Sequence, residues 1–184
     1  KYMIVIIIPA KGGSTRLPNK NMTSVNGRPL IDYSIDAALQ CECCNKTFVS
    51  TDSDVIADHA RSRGVNVIMR SENLGGEVPI IEVYRHALAN MDSDGIETLI
   101  GLQPDHPDRD VSIDEAYQTF KEAEADVLFS NEADGTKNGA HYVLSRHFVD
   151  SGENRKDVGI IDDCTNIHYQ DDVDRASKRL AERS

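Results

Sequence analysis

The residues best suited to chemistry lie in one short segment, Ile8 to Asn21, which reads I-P-A-K-G-G-S-T-R-L-P-N-K-N. Adjacent Gly12 and Gly13 let the backbone approach a ligand, and exposed N–H groups in such a turn can hold an anion. Ser14 adds a hydroxyl donor. The segment also carries three cations: Lys11, Arg16 and Lys20. Because acidic residues outnumber basic ones in the chain, 31 to 20, this gathering of cations predicts a triphosphate-binding loop rather than a solvated loop that is basic by chance.

Alternating strands and helices must position this loop. The continuous apolar run Met3–Pro9 is typical of a parallel strand that is buried on both faces. Further strands are predicted at Lys46–Ser50, Val65–Met69, Thr98–Leu102, Asp126–Ser130 and Ala140–Leu144. Helical spacing of apolar residues predicts helices at Leu30–Gln40, Val55–Arg63, Pro79–Met91, Val111–Ala123 and Asp172–Glu182. This alternation predicts an α/β fold with an open, mostly parallel sheet and helices on both faces.

Ligands of such sheets bind beyond the carboxyl ends of the strands. The three most polar loops follow strands and should converge there: Lys11–Lys20, Thr51–Asp54 and Gln103–Asp110. Two other polar segments are expected to be surface loops: Glu132–Asn138 and Ser151–Lys156. Asp52 or Asp54 is expected to cap the helix that begins at Val55, and Asp174 to cap the last helix.

The length of 184 residues favours one domain, 1–184, with enough chain for a hydrophobic core. The net charge of −11 argues against general nucleic-acid binding, which needs a positive surface. No apolar run approaches the roughly 20 residues that span a bilayer, so we expect no membrane partner. The first residues already resemble a core strand, so we expect no signal peptide and a cytoplasmic location. The start at Lys1 rather than Met suggests a missing short leader.

Four cysteines are present: Cys41, Cys43, Cys44 and Cys164. They do not form a disulfide framework in a chain of this length, and the adjacent Cys43 and Cys44 are typical of reduced cytosolic thiols. The C-x-C-C cluster could bind a soft metal ion. Its only other thiol, Cys164, is far away in sequence, and structural zinc needs four ligands at recognisable spacing, so we expect free thiols.

Five more motifs follow the basic loop in order. They are N-G-R-P-L-I at Asn26–Ile31, S-T-D-S-D at Ser50–Asp54, L-Q-P at Leu102–Pro104, N-G-A-H-Y-V at Asn138–Val143 and D-D-V-D-R-A at Asp171–Ala176. Together with the loop, this series resembles the cytidylyltransferases that activate acidic sugars, the N-acylneuraminate (CMP-sialic acid) synthetases and their relatives. The resemblance covers nearly the whole chain. It implies a Rossmann-like nucleotidyltransferase fold and a Mg²⁺-dependent reaction, in which the anomeric hydroxyl of an acidic sugar attacks the α-phosphate of CTP.

The resemblance also implies roles for individual residues. The nucleotide-binding set would be Ala10, Lys11, Gly12, Gly13, Ser14, Arg16, Lys20, Asn21 and Arg70, with Arg70 donating to the pyrimidine base. Gln103 would contact the sugar. The catalytic set would be Lys11, Arg16, Lys20 and Asp105. Asp105 falls where the 3-deoxy-manno-octulosonate (KDO) branch has a magnesium-binding Asp, and Asp171 is the second metal candidate.

Several positions depart from the family pattern. Thr15 replaces the usual Lys, and S-T-R-L-P instead resembles the KDO branch. His168 and Gln170 occupy the expected carboxylate positions of the C-terminal metal motif, and neither suits Mg²⁺. The segment Glu77–Ile80 lacks the serines that sialate enzymes place near the base. Only Asn131–Lys137 replaces the family's long dimerisation excursion, so a monomer or weak homodimer is expected.

These departures leave two alternatives open. One is a nucleotidyltransferase on the same scaffold that uses another nucleoside triphosphate or a neutral sugar, as the altered base segment suggests. The other is a nucleotide-binding relative without turnover, as the lost metal carboxylates suggest.

Overall fold

The computed structural model describes residues 3–75 and 78–183. The start of the chain at Lys1, and Glu77 in the segment expected near the base, lie outside these residues. Among the helices of the described ranges, none has the length and apolar character that crossing a membrane requires.

The helices and strands follow the predicted alternation. The strands are β1 (Met3–Pro9), β2 (Ser24–Val25), β3 (Arg28–Pro29), β4 (Lys46–Thr51), β5 (Asn66–Met69), β6 (Ile96–Gly101), β7 (Val127–Asn131), β8 (Lys137–Ser145) and β9 (Asp157–Ile161). The α-helices are α1 (Leu30–Gln40), α2 (Asp54–Ser62), α3 (Ile80–Ala89), α4 (Ile113–Glu122), α5 (Arg146–Ser151) and α6 (Gln170–Arg183). Two short 3₁₀ turns lie at Lys20–Met22 and Glu72–Leu74.

Seven strands form one sheet in the order β5-β4-β1-β6-β8-β7-β9, and β2 pairs with β3 in a separate hairpin. Strand β1 pairs in parallel with β4 and β6, β4 with β5, and β7 with β9. Strand β8 runs antiparallel to both of its neighbours, β6 and β7. The sheet is therefore mixed but mostly parallel, as the sequence predicted.

The two faces of β1 enter two different hydrophobic clusters, which explains its continuous apolar run. Ile6 and Ile8 pack on the face covered by α1, α2 and α4, whereas Val5 and Ile7 pack on the face covered by α3 and α5. Each of these four side chains is fully buried. Helices thus cover both faces of the sheet, and the strand ends are held in fixed positions.

A third hydrophobic cluster joins the end of the chain to the region of the basic loop. Val25 of the β2–β3 hairpin packs with Ile167 and with Val173 on α6. The backbone N–H of Asn26 also donates to Ser177 Oγ at 3.0 Å. Helix α6 therefore fixes the hairpin that follows the basic loop.

Three sequence predictions need correction. Neither Asp52 nor Asp54 caps α2, because Ser53 Oγ accepts from Ile56 N at 3.3 Å and Asp52 is engaged elsewhere. At α6, Asp172 rather than Asp174 accepts from the preceding backbone, at His168 N and Tyr169 N, both 2.9 Å. The predicted loop Glu132–Asn138 is shorter than expected, since β8 already begins at Lys137.

Candidate active site

An open cavity of about 270 Å³ lies at the carboxyl ends of β1 and β6. Its lining combines predicted polar residues with apolar ones: Pro9, Lys11, Lys20, Asn21, Arg70, Leu74, Gly75, Val78, Ile80, Val83, Gln103, Pro104 and Asp105. The structure thus brings together six of the side chains that the sequence singled out, namely Lys11, Lys20, Asn21, Arg70, Gln103 and Asp105. They come from three separate segments that follow strands, as parallel topology requires.

The glycine turn packs directly on the loop that follows β4. Gly12 N donates to Asp52 Oδ1 at 2.7 Å, and Ala10 N donates to Ser50 O at 2.8 Å. A Cβ on Gly12 would come within 2.9 Å of Ser53 Cβ, a distance that real Cβ atoms do not adopt. The S-T-D-S motif therefore supports the shape of the basic loop, and Gly12 is needed because the two backbones approach so closely.

Asn21 stabilises the same loop through a hydrogen bond to the loop backbone. Its side chain is buried, and Nδ2 donates to Lys11 O at 2.9 Å. Its Oδ1 is buried without a hydrogen-bond partner in the part of the chain that the structure describes. Because an unpaired buried acceptor costs free energy, this oxygen is suited to a donor that a ligand brings, such as a hydroxyl group.

Lys20 links three segments at the edge of the cavity. Its Nζ lies 3.1 Å from Asp105 Oδ1 and donates to Ile167 O at 3.3 Å. Ile167 N in turn donates to Asp105 O at 2.9 Å. The segment before α6 thus holds Asp105 and Lys20 side by side.

Arg70 lies at another part of the cavity and is only 7% exposed. Its Nη1 donates to Leu74 O at 2.7 Å, while Nε is buried with no partner within residues 3–75 and 78–183. Burial lowers the pKa of the guanidinium, and the nearby charge of Asp52 opposes this shift. Arginine still stays protonated at neutral pH, so Arg70 offers a fixed cationic donor that lacks a full set of acceptors.

Gln103 separates this cavity from a second one. The second cavity has a volume of about 340 Å³ and shares Gln103 and Ile80 with the first. Its remaining lining residues are Val127, Phe129, Lys137, Asn138, Gly139, Tyr142, Phe148, Asn154 and Asp157. The two cavities therefore meet at Gln103 and Ile80, an arrangement that suits two ligands that react with each other.

The position of Gln103 depends on close contact with β8. Gln103 N donates to Gly139 O at 3.3 Å, and Arg109 Nη2 donates to Gln103 O at 2.7 Å. A Cβ on Gly139 would overlap the Gln103 carboxamide. The glycine of the N-G-A motif is therefore what leaves room for this side chain.

Sequence reasoning did not identify Lys137 as a candidate functional residue, because it was assigned to a surface loop. Its Nζ lies 4.2 Å from the centroid of the Phe129 ring, in a cation–π arrangement at the wall of the second cavity. The adjacent Asn138 accepts from Ser130 Oγ at 2.5 Å and donates to Asp162 O at 3.0 Å. The sequence signal that could have identified Lys137 is its position directly before the N-G-A motif, because β8 begins at Lys137 and continues through Asn138.

Arg16 and Asp171 are not brought to the described lining of either cavity. Arg16 Nη1 lies 3.3 Å from His168 Nδ1, and its guanidinium lies 5.7 Å from the centroid of the Tyr169 ring. Asp171 is exposed in the first turn of α6. The position of Arg16 depends on how the segment before α6 packs against the basic loop, which no local motif predicts.

Asp105 is the carboxylate that the described residues contribute to the first cavity. Its carboxylate is paired with Lys20, and the side chain keeps 21% of its surface exposed, so a hard cation can reach it. Mg²⁺ commonly binds through one or two carboxylates and completes its shell with water and substrate phosphates. The donor set at this cavity therefore fits Mg²⁺ together with a phosphate ligand, although His168 and Gln170 offer it no carboxylate.

Comparison with known proteins agrees with this geometry. A sequence profile described as Cytidylyltransferase matches residues 5–179. The CMP-N,N'-diacetyllegionaminic acid synthase of Legionella pneumophila is 51% identical over 72 residues, which cover 39% of this chain and 31% of that protein. The N-acylneuraminate cytidylyltransferase of Escherichia coli is 37% identical over 123 residues, covering 64% of this chain and 29% of that protein. The aligned part thus spans less than a third of either relative.

A solved structure of CMP:2-keto-3-deoxy-manno-octonic acid synthetase complexed with CTP superposes with a TM-score of 0.78. The superposition covers 99% of this chain and 100% of that one, at 15% sequence identity. At this identity the likeness concerns the fold alone, which the two chains share over nearly their whole lengths.

Proposed function

Because the chain belongs to the cytidylyltransferase family, we propose that it transfers the cytidylyl group of CTP to the anomeric hydroxyl of an acidic sugar and releases pyrophosphate. The observation that carries this proposal is the pair of cavities that meet at Gln103. The first cavity offers lysine side chains to phosphates and a buried arginine to a base. The second cavity offers a lysine side chain to the carboxylate of an acidic sugar. The relatives named above make CMP-linked acidic sugars, by their names.

The first cavity has the chemistry of a nucleoside triphosphate site. Lys11, beside the glycine turn, and Lys20, at the start of the 3₁₀ turn, line this cavity. Charge-assisted contacts to phosphate are among the strongest hydrogen bonds in proteins. Arg70 supplies a buried Nε donor without a partner in the described residues. The O2 and N3 atoms of cytosine are acceptors, so a fixed guanidinium here favours this base.

The second cavity is the proposed acceptor site. Lys137 supplies a positive charge suited to a sugar carboxylate, and Phe129 and Tyr142 supply apolar surface for a sugar ring. Gln103 lies between the sites and can hydrogen-bond to a hydroxyl near the reacting centre. Asp157 at the rim carries a negative charge, so the carboxylate is expected on the Lys137 side of the cavity.

In the proposed reaction, the anomeric oxygen forms a bond to the α-phosphorus of CTP. The bond from that phosphorus to the oxygen that bridges to the β-phosphate breaks, and pyrophosphate leaves with the electron pair. The hydroxyl proton passes to solvent. Lys11 and Lys20 stabilise the charge that grows on the leaving pyrophosphate, which is the main task of a protein in such transfers.

We propose Mg²⁺ as the cofactor, with Asp105 as its protein ligand. When bound, this ion neutralises phosphate charge and thereby eases attack at the α-phosphorus. Asp105 would position the ion, and Lys20 supplies a positive charge next to it. Asp171 stays a weaker candidate for this role, because its side chain is exposed on α6.

We further propose a monomer or a weak homodimer whose active site needs no partner residues. The observation behind this proposal is the short connection from β7 to β8, which consists of residues 132–136 only. Light scattering should give the mass of a monomer or a concentration-dependent dimer. A tight dimer in which residues of a second copy complete the site would contradict this proposal.

A matrix of pyrophosphate-release assays tests the function. Each of the four nucleoside triphosphates is combined with Mg²⁺ and with a panel of 2-keto-3-deoxy sugar acids and matched neutral sugars. We expect release only with CTP and an acidic sugar. Release with another triphosphate or a neutral sugar would favour the first alternative named above, and no release with any combination would favour the relative without turnover.

A further inference from the structure

The cysteine cluster lies at the opposite end of the sheet from the candidate active site. Asn45 N donates to Ile4 O at 2.9 Å, which places the loop between α1 and β4 at the amino end of β1. Pro9, at the carboxyl end of β1, lines the first cavity. At about 3.3 Å per residue, five residues of strand separate the two ends by roughly 17 Å. A ligand of the cysteine cluster would therefore be distinct from nucleotide, sugar and Mg²⁺.

The structure adds a carboxylate to this cluster that the sequence did not reveal. Ligand atoms of Cys41, Cys43 and Asp114 all lie within 4.8 Å of one another. Asp114 lies in the first turn of α4, about seventy positions away along the chain, and its carboxylate reaches the backbone of the loop at Cys43 N. All three residues are partly exposed, so an ion in solution can reach them.

The spacing of the two sulfurs fits a shared metal ion. Cys41 Sγ lies 3.7 Å from Cys43 Sγ. Two thiolates bound to one tetrahedral Zn²⁺ at about 2.3 Å each are separated by about 3.8 Å. A disulfide needs a sulfur separation of about 2.0 Å, and all four cysteines are free in the structure.

Asp114 is held in place before any ion binds. Its Oδ1 accepts from Cys43 N at 2.9 Å and from Glu42 N at 3.1 Å, and Oδ2 accepts from Glu42 N at 3.0 Å. An ionised carboxylate has about four acceptor positions, so one remains for a cation. These contacts fix the loop and the start of α4 relative to each other, and this preorganises the three ligand atoms.

We propose that Cys41, Cys43 and Asp114 bind one soft divalent cation such as Zn²⁺, with solvent in the fourth position, and that the ion fastens the α1–β4 loop to α4. Thiolate ligands select Zn²⁺ over Mg²⁺ and Ca²⁺, which prefer oxygen. Binding of the dication would release the thiol protons, because the thiolate is the form that ligates a metal.

Cobalt spectroscopy on the reduced full chain tests the site without nucleotide or sugar, so its outcome is independent of the proposed activity. Titration with Co²⁺ should produce sulfur-to-cobalt charge-transfer absorption and the intense visible bands of a tetrahedral ion, saturating at one ion per chain. Zn²⁺ should displace the ion, and an excess of Mg²⁺ should not. Absence of the charge-transfer band would overturn the proposal.

Three variants identify the ligands. Losing an outer partner of a metal ligand typically weakens affinity by about 10- to 100-fold, so loss of a ligand in Cys43→Ser or Asp114→Asn should cost at least about tenfold. Cys44→Ser is the matched control in the same loop: its thiol donates to Lys46 O, a bond that a hydroxyl can replace. Unchanged affinity in Asp114→Asn, or equal losses in Cys43→Ser and Cys44→Ser, would refute this ligand set. If Asp114→Asn fails to fold, the contrast between the two Cys→Ser variants decides.

Discussion

Lys20 Nζ lies 3.1 Å from Asp105 Oδ1, and this ion pair spans two of the three segments that build the candidate nucleotide cavity. Both side chains are largely buried, with exposed fractions of 14% and 21%. A triphosphate with Mg²⁺ would give each partner a new counter-charge, phosphate for the lysine and the cation for the carboxylate. In the proposed function the pair would therefore balance charge while no ligand is bound and would separate into two functional groups when the substrate binds.

The two members of this ion pair are expected to affect different steps, Lys20 the binding of CTP and Asp105 the turnover. Lys20→Ala should weaken CTP binding by roughly 1.5–3 kcal/mol, the scale of a charge-assisted contact. Asp105→Asn should leave metal-free CTP binding nearly intact but remove turnover, because the cation loses its protein ligand. Calorimetry with chelator present, combined with pyrophosphate release in Mg²⁺, separates the two effects.

Two surface substitutions serve as controls: Lys46→Ala, at the start of β4, and Asp58→Asn, whose side chain is 80% exposed on α2. Both should behave as the parent protein. Full turnover in Asp105→Asn, or unchanged CTP affinity in Lys20→Ala, would refute the assigned roles.

Arg70 should determine base preference. Arg70→Lys keeps a positive charge but loses the planar guanidinium whose Nε has no partner in the described structure. In the parent protein CTP should raise the melting temperature more than the other three triphosphates do, because a ligand that binds only the native state stabilises it. In Arg70→Lys this difference should shrink. Arg61→Lys, on the exposed surface of α2, is the matched control, and equal stabilisation of the parent by ATP or GTP would exclude the assignment.

Gly139 should control the acceptor step through Gln103. A Cβ at this position would displace the Gln103 carboxamide, and a misplaced group of this kind can cost about 100-fold in rate. Gly139→Ala should therefore lower kcat/KM for the sugar by roughly 10- to 100-fold, with CTP binding unchanged. The double variant Gly139→Ala with Gln103→Ala removes the overlap, so it should recover stability but not activity. Recovery of activity would show that Gln103 has no direct role.

Asp126 should make stability sensitive to acid. Its carboxylate is buried and bonded to Arg155 Nε and Nη2, both at 2.8 Å, and to Ser145 Oγ at 2.7 Å. The hydrogen bonds from Arg155 hold the pKa of Asp126 well below its ordinary value of 3.8, although burial opposes the shift. A carboxyl with a lowered folded-state pKa contributes stability above its unfolded pKa, and that stability is lost as the pH falls through the folded pKa.

Urea unfolding as a function of pH measures this effect. Asp126→Asn should lower the free energy of unfolding by about 1–3 kcal/mol at pH 7, and it should flatten the fall in stability below about pH 4. Asp150→Asn is the control, since its carboxylate is 59% exposed and pairs with Arg146 at the surface. An acid dependence of Asp126→Asn that matches the parent would contradict this account.

Helices and strands could be predicted from the sequence where the pattern of their own apolar residues indicates them. Strand β1 and helix α1 have the bounds that their apolar patterns indicated, because each buries its own apolar residues against the core. Strand β9 was missed, because its five residues include Gly159 and depend on pairing with β7. A glycine suits this position because the side chains of β7 leave little room for a Cβ, which would lie 3.1 Å from Phe129.

The same division applies to the candidate site. Motifs in the sequence identified Lys11, Lys20, Arg70, Gln103 and Asp105, which the structure places around one cavity. They did not reveal Lys137 or the position of Arg16. Both depend on long-range packing, of β8 against β7 and of the segment before α6 against the basic loop. Asp114 beside Cys41 and Cys43 was hidden for the same reason.

The fate of the α-phosphorus of CTP tests the central proposal most directly. The protein is incubated with Mg²⁺, an acidic 2-keto-3-deoxy sugar and CTP labelled either at the α- or at the γ-phosphorus, and the products are separated. Attack at the α-phosphorus predicts that the α-label appears in a sugar-linked CMP and the γ-label in pyrophosphate, in equal amounts. Recovery of the α-label only in CTP, CDP or free CMP, or of the γ-label in the sugar, would contradict cytidylyl transfer.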